Sequence, residues 1–198
     1  MRHVKTAATF GFSVCLALAG ASASYAQAAN SAGIAPAGKC GDLVNLKIAG
    51  TNVQITKAEA VPTTPAGTLR IPTISPETIP VPIPPYCRVD GVMDPRTGVD
   101  NKPYAIGFEV ALPDNWNGRF LFQGGGGLNG YILLPLGSQA AGDTPALARG
   151  FAVVSTDTGH KGAVFDASFM KDQLASLDFA YIAVGKVTVL AKQIIAQY

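Results

Sequence analysis

Charge is scarce in this chain. Charged residues hold 14% of its 198 positions, against 48% for hydrophobic ones. That balance excludes an intrinsically disordered chain, which needs high charge and low hydrophobicity. The 22 glycines and 14 prolines exclude a coiled coil. No block of like charge offers a patch for nucleic acid. Histidine is rarer still, with only His3 and His160, and cysteine occurs three times; four-ligand zinc spacing is absent. No Gly-x-Ser-x-Gly elbow occurs, and no Gly-Lys-Ser/Thr ends a glycine run, so a P-loop is excluded. The apolar run near the N-terminus is too short and too broken by Gly and Ser for a comfortable membrane span of ~20 residues.

What is present begins with an export signature. Arg2 and Lys5 precede a short apolar stretch over residues 7–19, and small residues follow at Ser24, Ala26 and Ala28. A basic start, a short apolar segment and small residues form the layout of a cleavable secretory signal, expected over residues 1–28. A retained N-terminal anchor is the other reading of the same stretch. Without Arg2 and Lys5, thirteen basic residues face thirteen acidic ones. The mature protein is expected to be secreted or periplasmic, with no nucleic-acid partner and no membrane association after cleavage.

Cysteine usage agrees. Cys15 lies within the signal, which leaves Cys40 and Cys87. An even pair in an oxidising compartment points to a disulfide closing a loop of roughly 50 residues; two buried free thiols are the alternative.

The rest of the chain divides into an N-terminal segment, 29–103, and a more regular region, 104–198. In the first, Val53 and Ile55 alternate as in a strand. Prolines then crowd from Pro62 to Pro95, and proline fixes φ and donates no hydrogen bond, so an extended segment lying over a surface is expected. In the second, Ile106, Phe108, Val110 and Leu112 alternate as in a half-buried strand, which sets Glu109 on a solvated face. Residues 119–123 read as a short strand covered on both faces. Residues 143–150 read as a short helix, with Thr144 to cap it, Pro145 at its first position and Gly150 to stop it. Residues 151–155 form a buried strand that gives way to a polar loop over 156–162. A helix follows from Asp178, its presumed N-cap, to Tyr198, with an apolar stripe through Phe179, Ile182, Ala183, Val187, Leu190 and Ile194. This alternation indicates an α/β fold with parallel strands and packed helices. Only two or three core strands are legible, an incomplete sheet.

The strongest local feature is the run Gly124, Gly125, Gly126 and Gly127 directly after a strand. Glycines there let the backbone turn sharply and aim several N–H groups at one spot. A Gly-x-Gly-x-x-Gly phosphate register with an acidic residue about twenty positions on is not matched well. A tight turn and an oxyanion hole both remain open. His160 could act as a base, but a loop histidine at the surface or held by hydrogen bonds is the plainer reading. Asp157 reads as a loop-capping residue.

Several phrases in order resemble one family. They are Pro85-Tyr86-Cys87-Arg88-Val89 with Gly91, Ile106-Gly107-Phe108-Glu109-Val110-Ala111-Leu112-Pro113, Trp116-Asn117-Gly118-Arg119-Phe120, Gln123 with the four glycines, Ala146-Leu147-Ala148-Arg149-Gly150, Val154 through His160, and Asp178-Phe179-Ala180-Tyr181. Together they resemble the tannase and feruloyl esterase family. The resemblance implies a secreted serine esterase with an α/β-hydrolase fold and a large inserted lid. Its substrates would be esters of aromatic acids such as gallate and ferulate, as small molecules or plant polymers, with terephthalate monoesters a further possibility. It implies that the glycine run supplies an oxyanion-hole N–H, from Gly125 or Gly126, and that Cys40 and Cys87 fall on the family's N-terminal cysteine pair. Asp157 and His160 match a family signature from which its triad is not drawn. The family's serine follows the strand after the helix that begins Asp-Phe-Ala-Tyr. The resemblance therefore implies an N-terminal part of an α/β-hydrolase fold, with the catalytic triad and any lid calcium beyond Tyr198. On that reading the chain holds no metal or cofactor and is inactive by itself. A secreted, non-enzymatic ligand-binding or remnant module is the alternative.

Overall fold

The computed structural model of the protein describes residues 33–71, 76–138 and 144–198. The signal segment expected over 1–28 and the Asp143 start of the short helix lie outside them. The described residues form seven strands: β1 (Val53–Val61), β2 (Arg70–Ile71), β3 (Glu77–Thr78), β4 (Tyr86–Thr97), β5 (Pro103–Pro113), β6 (Phe120–Phe122) and β7 (Ala152–Thr156). Five form one sheet in the order β1-β4-β5-β7-β6, and β2 and β3 make a small separate pair. β1, β4, β5 and β7 are successively antiparallel. β6 and β7 are parallel. The fold is thus α/β with a mixed sheet, larger than the two or three strands expected. β1 and β4, both from residues 29–103, pair into the same sheet as β5.

The faces of β5 explain its position. Ile106, Phe108, Val110 and Leu112 point to one face, where they meet Cys87 and Val89 of β4, Ala152 and Val154 of β7, and the C-terminal helix. Ala111 points the other way and packs with Val153, Leu136 and Leu147. Ile71, Ile79 and Ile83 join that second core, each at most 5% exposed. The proline-crowded segment is therefore held down by isoleucines between its prolines. β5 is central, so both its faces are covered.

The segment over 144–150 is shorter than expected. Only Leu147–Arg149 form a 3-10 turn, with Ala146 rather than Thr144 at its N-cap position and no side chain capping it. Gly150 does end it, at φ 83°, a left-handed conformation that suits glycine.

The long helix starts earlier than Asp178. Its first part, α1, is Gln173–Leu177, and Asp172 is the N-cap, its carboxylate accepting from the Ala175 N–H. A π turn, Asp178–Ile182, interrupts it, and α2 continues over Ala183–Gln197. The assembled helix is long and apolar enough, by length and composition, to cross a membrane. Val187, Leu190, Ala191 and Ile194, however, are buried against the sheet. The Cys40–Cys87 disulfide ties a 3-10 turn at Cys40–Asn45 to β4, with Cα atoms 5.4 Å apart.

Candidate functional site

β6 and β7 run side by side in the same direction, so their carboxyl ends share one edge of the sheet. That edge is where open α/β sheets bind ligands. The glycine run leaves the end of β6, and residues 156–162 leave the end of β7.

Gln123 fixes the departure of the glycine loop. Its backbone N–H continues the ladder to the Val154 carbonyl at 2.8 Å. Its side chain is buried, accepting from the Gly137 N–H at 2.6 Å and donating to the Leu134 carbonyl at 3.1 Å. Beyond it, Gly124, Gly125, Gly126 and Gly127 are all exposed. None of their four N–H groups donates a hydrogen bond among the described residues. The loop closes again where Leu128 donates to the Val164 carbonyl at 2.8 Å and Asn129 donates to the Gly126 carbonyl at 3.1 Å. Successive free N–H groups can bind an anion where the backbone turns them toward one point.

Asn129 joins this loop to β7. It is 3% exposed and adopts φ 50°. Its Nδ2 donates to the Thr156 carbonyl at 2.8 Å and approaches Thr158 Oγ1 at 3.3 Å. Its Oδ1 is buried and finds no hydrogen-bond partner among the described residues. A Cβ added at Gly125 would collide with that oxygen, whereas one at Gly126 would meet open space. Sequence reasoning missed Asn129. The available signal was an asparagine between a glycine run and Gly130, since asparagine tolerates positive φ better than most residues.

The residues after β7 are buried rather than solvated. Asp157 is fully buried: its Oδ1 accepts from the N–H of Gly107 at 2.8 Å and of Gly159 at 3.0 Å, and Lys161 Nζ lies 3.0 Å from Oδ2. Asp157 thus caps the loop, as expected. His160 is 2% exposed, which corrects the reading of a surface histidine. It stacks on Phe169 with ring centroids 3.7 Å apart and meets Phe179 edge-on at 6.1 Å. Neither ring nitrogen has a hydrogen-bond partner among the described residues. Burial holds its pKa below the ordinary histidine value, against the opposing influence of the Asp157 carboxylate and the Leu128 and Thr158 backbone. The imidazole is thus packed between Phe169 and Phe179 and held away from solvent. Gly159 abuts Asp178, whose buried carboxyl is shifted upward by desolvation. The phrases ending in His160 and beginning at Asp178 are therefore two sides of one contact.

Glu109 differs most from expectation. It is 5% exposed, and its Oε2 accepts from Arg88 at 2.8 Å while Oε1 is unpartnered. Burial raises its pKa to about 7, with Arg88 opposing the rise. Among the described residues no group of three or more His, Cys, Asp or Glu side chains could hold a metal ion.

Known proteins similar to this chain point to one family. The family model described as tannase and feruloyl esterase matches residues 87–198. Mono(2-hydroxyethyl) terephthalate hydrolase of Piscinibacter sakaiensis is 39% identical over 124 residues, covering 59% of this chain and 21% of that protein. A probable feruloyl esterase B-2 of Aspergillus flavus is 41% identical over 86 residues, covering 43% and 15%. The chain spans about a fifth of the length of such curated relatives. The crystal structure of feruloyl esterase B from Aspergillus oryzae superposes with a TM-score of 0.59 at 26% identity, over 80% of this chain and 28% of that one.

Proposed function

Because the chain belongs to the tannase and feruloyl esterase family, we propose that it is the oxyanion-binding part of a secreted serine hydrolase of aromatic-acid esters. The observation that carries this reading is the exposed loop of four glycines with free N–H groups at the carboxyl end of β6. In the reaction, a serine oxygen adds to the ester carbonyl as a histidine takes its proton. The carbonyl oxygen becomes an oxyanion held by the N–H of Gly125 or Gly126. Collapse expels the alcohol, which receives the proton, and water then releases the aromatic acid by the same steps.

The nucleophile, base and acid of this reaction lie outside the 198 residues on this reading. The absence of a Gly-x-Ser-x-Gly motif and the burial of His160 support that. So do two surfaces that further polypeptide would cover. Among the described residues β6 pairs on one side only, and Leu174, Leu177, Tyr181 and Val184 of the helix expose apolar side chains. Residues 1–28 act as a secretory signal in this proposal, in keeping with the disulfide. The substrate is a ferulate, gallate or terephthalate-type ester, free or on a polymer.

The test is a chimera. Residues 87–198 replace the matching stretch of the Piscinibacter hydrolase, and turnover of methyl ferulate, methyl gallate and a terephthalate monoester is measured. The chimera is expected to hydrolyse at least one, with inhibition by a serine-directed reagent, and the 198-residue chain alone none. A folded but inactive chimera contradicts the donor role, and inhibitor-sensitive turnover by the chain alone contradicts an external nucleophile.

A further inference from the structure

We propose that Asn129 is a positioning residue that clamps the glycine loop to the end of β7 and so sets the direction of the Gly125 and Gly126 N–H groups. The clamp has two jaws. On one side, Asn129 Nδ2 holds the Thr156 carbonyl and reaches Thr158 Oγ1. On the other, its Oδ1 lies against Gly125 so closely that no side chain fits there.

The anchor below the clamp is rigid. Thr156 Oγ1 donates to the Gly107 carbonyl at 2.6 Å and accepts from the Thr158 N–H at 3.2 Å. The Gly130 N–H donates to the Asp157 carbonyl at 3.2 Å, and the Gly130 carbonyl accepts from the Gly162 N–H at 3.0 Å. An unbroken path of hydrogen bonds therefore runs from β5 through the end of β7 to Asn129. The four glycines have little support of their own: none of their N–H groups donates a hydrogen bond among the described residues, and only the Gly126 carbonyl is held there, by the Asn129 backbone N–H. Glycine loops carry high conformational entropy, and an oxyanion donor works only if it is already aimed when charge develops. Asn129 is the buried side chain that touches both the anchor and the loop.

The unpartnered Oδ1 fits this assignment. A buried acceptor without a partner costs stability that a smaller or apolar residue would not. An amide there is explained by what its other end holds and what its oxygen excludes: the loop cannot fold back onto β7 while Oδ1 occupies that space.

The role rests on the esterase reading only for its consequence, not for its geometry, and the test separates the two. Asn129→Gly keeps the positive φ open and deletes the amide. Asn129→Asp keeps the shape and replaces the donor with an acceptor facing the Thr156 carbonyl. Hydrogen–deuterium exchange is measured on the full chain and on the chimera, together with kcat and KM on the chimera. Both variants are expected to speed exchange about tenfold at residues 128–130, whose N–H groups close the loop onto Val164, Gly126 and Asp157, while β5 and β7 stay protected. Both are expected to lower kcat by about 10- to 100-fold, with KM changed far less. Loop exchange and kcat unchanged in Asn129→Gly would overturn the clamp and leave only a backbone role for this position. Loss of protection across β5 and β7 along with the loop would also overturn it, as a general packing role. If the unsubstituted chimera is inactive while loop exchange still responds as expected, the clamp stands and the esterase reading fails.

Discussion

Alanine at Gly125 and at Gly126 should have opposite outcomes, although the two sites are adjacent, exposed and chemically identical. At Gly126 an added methyl group meets nothing within 4 Å. At Gly125 it runs into the Asn129 amide, which cannot retreat without releasing the Thr156 carbonyl and Thr158 Oγ1. Losing the longer Thr158 contact costs about 1 kcal/mol, and leaving the buried Thr156 carbonyl without its donor costs roughly 1–3 kcal/mol. The total for Gly125→Ala is therefore roughly 2–4 kcal/mol. In a protein of this size that lowers Tm by roughly 5–10 °C. Gly126→Ala should stay within about 0.5 kcal/mol of the parent, as surface substitutions do. Thermal unfolding of the three proteins, followed by circular dichroism at one pH and salt concentration, decides the matter. Equal melting temperatures for the two variants would show that the loop yields outward and that Gly125 is not pressed on Asn129.

Three other perturbations probe the scaffold. Glu109 has a folded-state pKa of about 7, above its ordinary value of 4.5, so the folded protein binds more protons than the unfolded chain between those values. Stability should therefore fall as pH rises from about 4.5 to 7, by on the order of 2–3 kcal/mol, and Glu109→Gln should flatten that slope in urea titrations across pH 4–8; an unchanged slope would refute the assignment. Asp172 caps α1 and accepts from Arg96 and the Val99 N–H, interactions that hold its pKa well below the usual carboxylate range. Its contribution is present near neutral pH and is lost as pH falls below about 4, and Asp172→Ala should cost roughly 2–4 kcal/mol at pH 7, a cap plus charge-assisted bonds, measured by denaturant unfolding. Breaking the Cys40–Cys87 link, which spans 47 residues, should cost about 4 kcal/mol by the chain-entropy argument; equal stability of a Cys40→Ser, Cys87→Ser double variant would contradict it.

Legibility from sequence followed local regularity. β5, β7 and the C-terminal stripe were readable because each is a run with one period. β4 was not, although Cys87, Val89 and Met93 share a face, because prolines lie on both sides, Gly91 interrupts the pattern and Pro95 falls within it. The helix start was misplaced by six residues for a physical reason. The π turn at Asp178–Ile182 inserts an extra residue per turn, so Gln173–Leu177 falls out of phase with the stripe that follows. Glu109 was assigned to solvent on polarity, and His160 to a loop, at the surface or held by hydrogen bonds. One sits on a central strand with both faces covered, and the other sits beneath Phe169 and Phe179. Burial of that kind depends on which strands are neighbours, and that is a long-range property. The glycine run was conspicuous; the amide that holds it was a single residue with no pattern of its own.

The central claim is that a loop N–H from Gly125 or Gly126 stabilises the oxyanion of an aromatic ester. Replacing one peptide N–H by an ester oxygen, first at Gly125 and then at Gly126, removes that donor and little else. Measured on the chimera with its preferred aromatic ester, one of the two replacements is expected to lower kcat by about 10²- to 10³-fold with KM nearly unchanged. A loss of no more than a few-fold at both positions would contradict the claim.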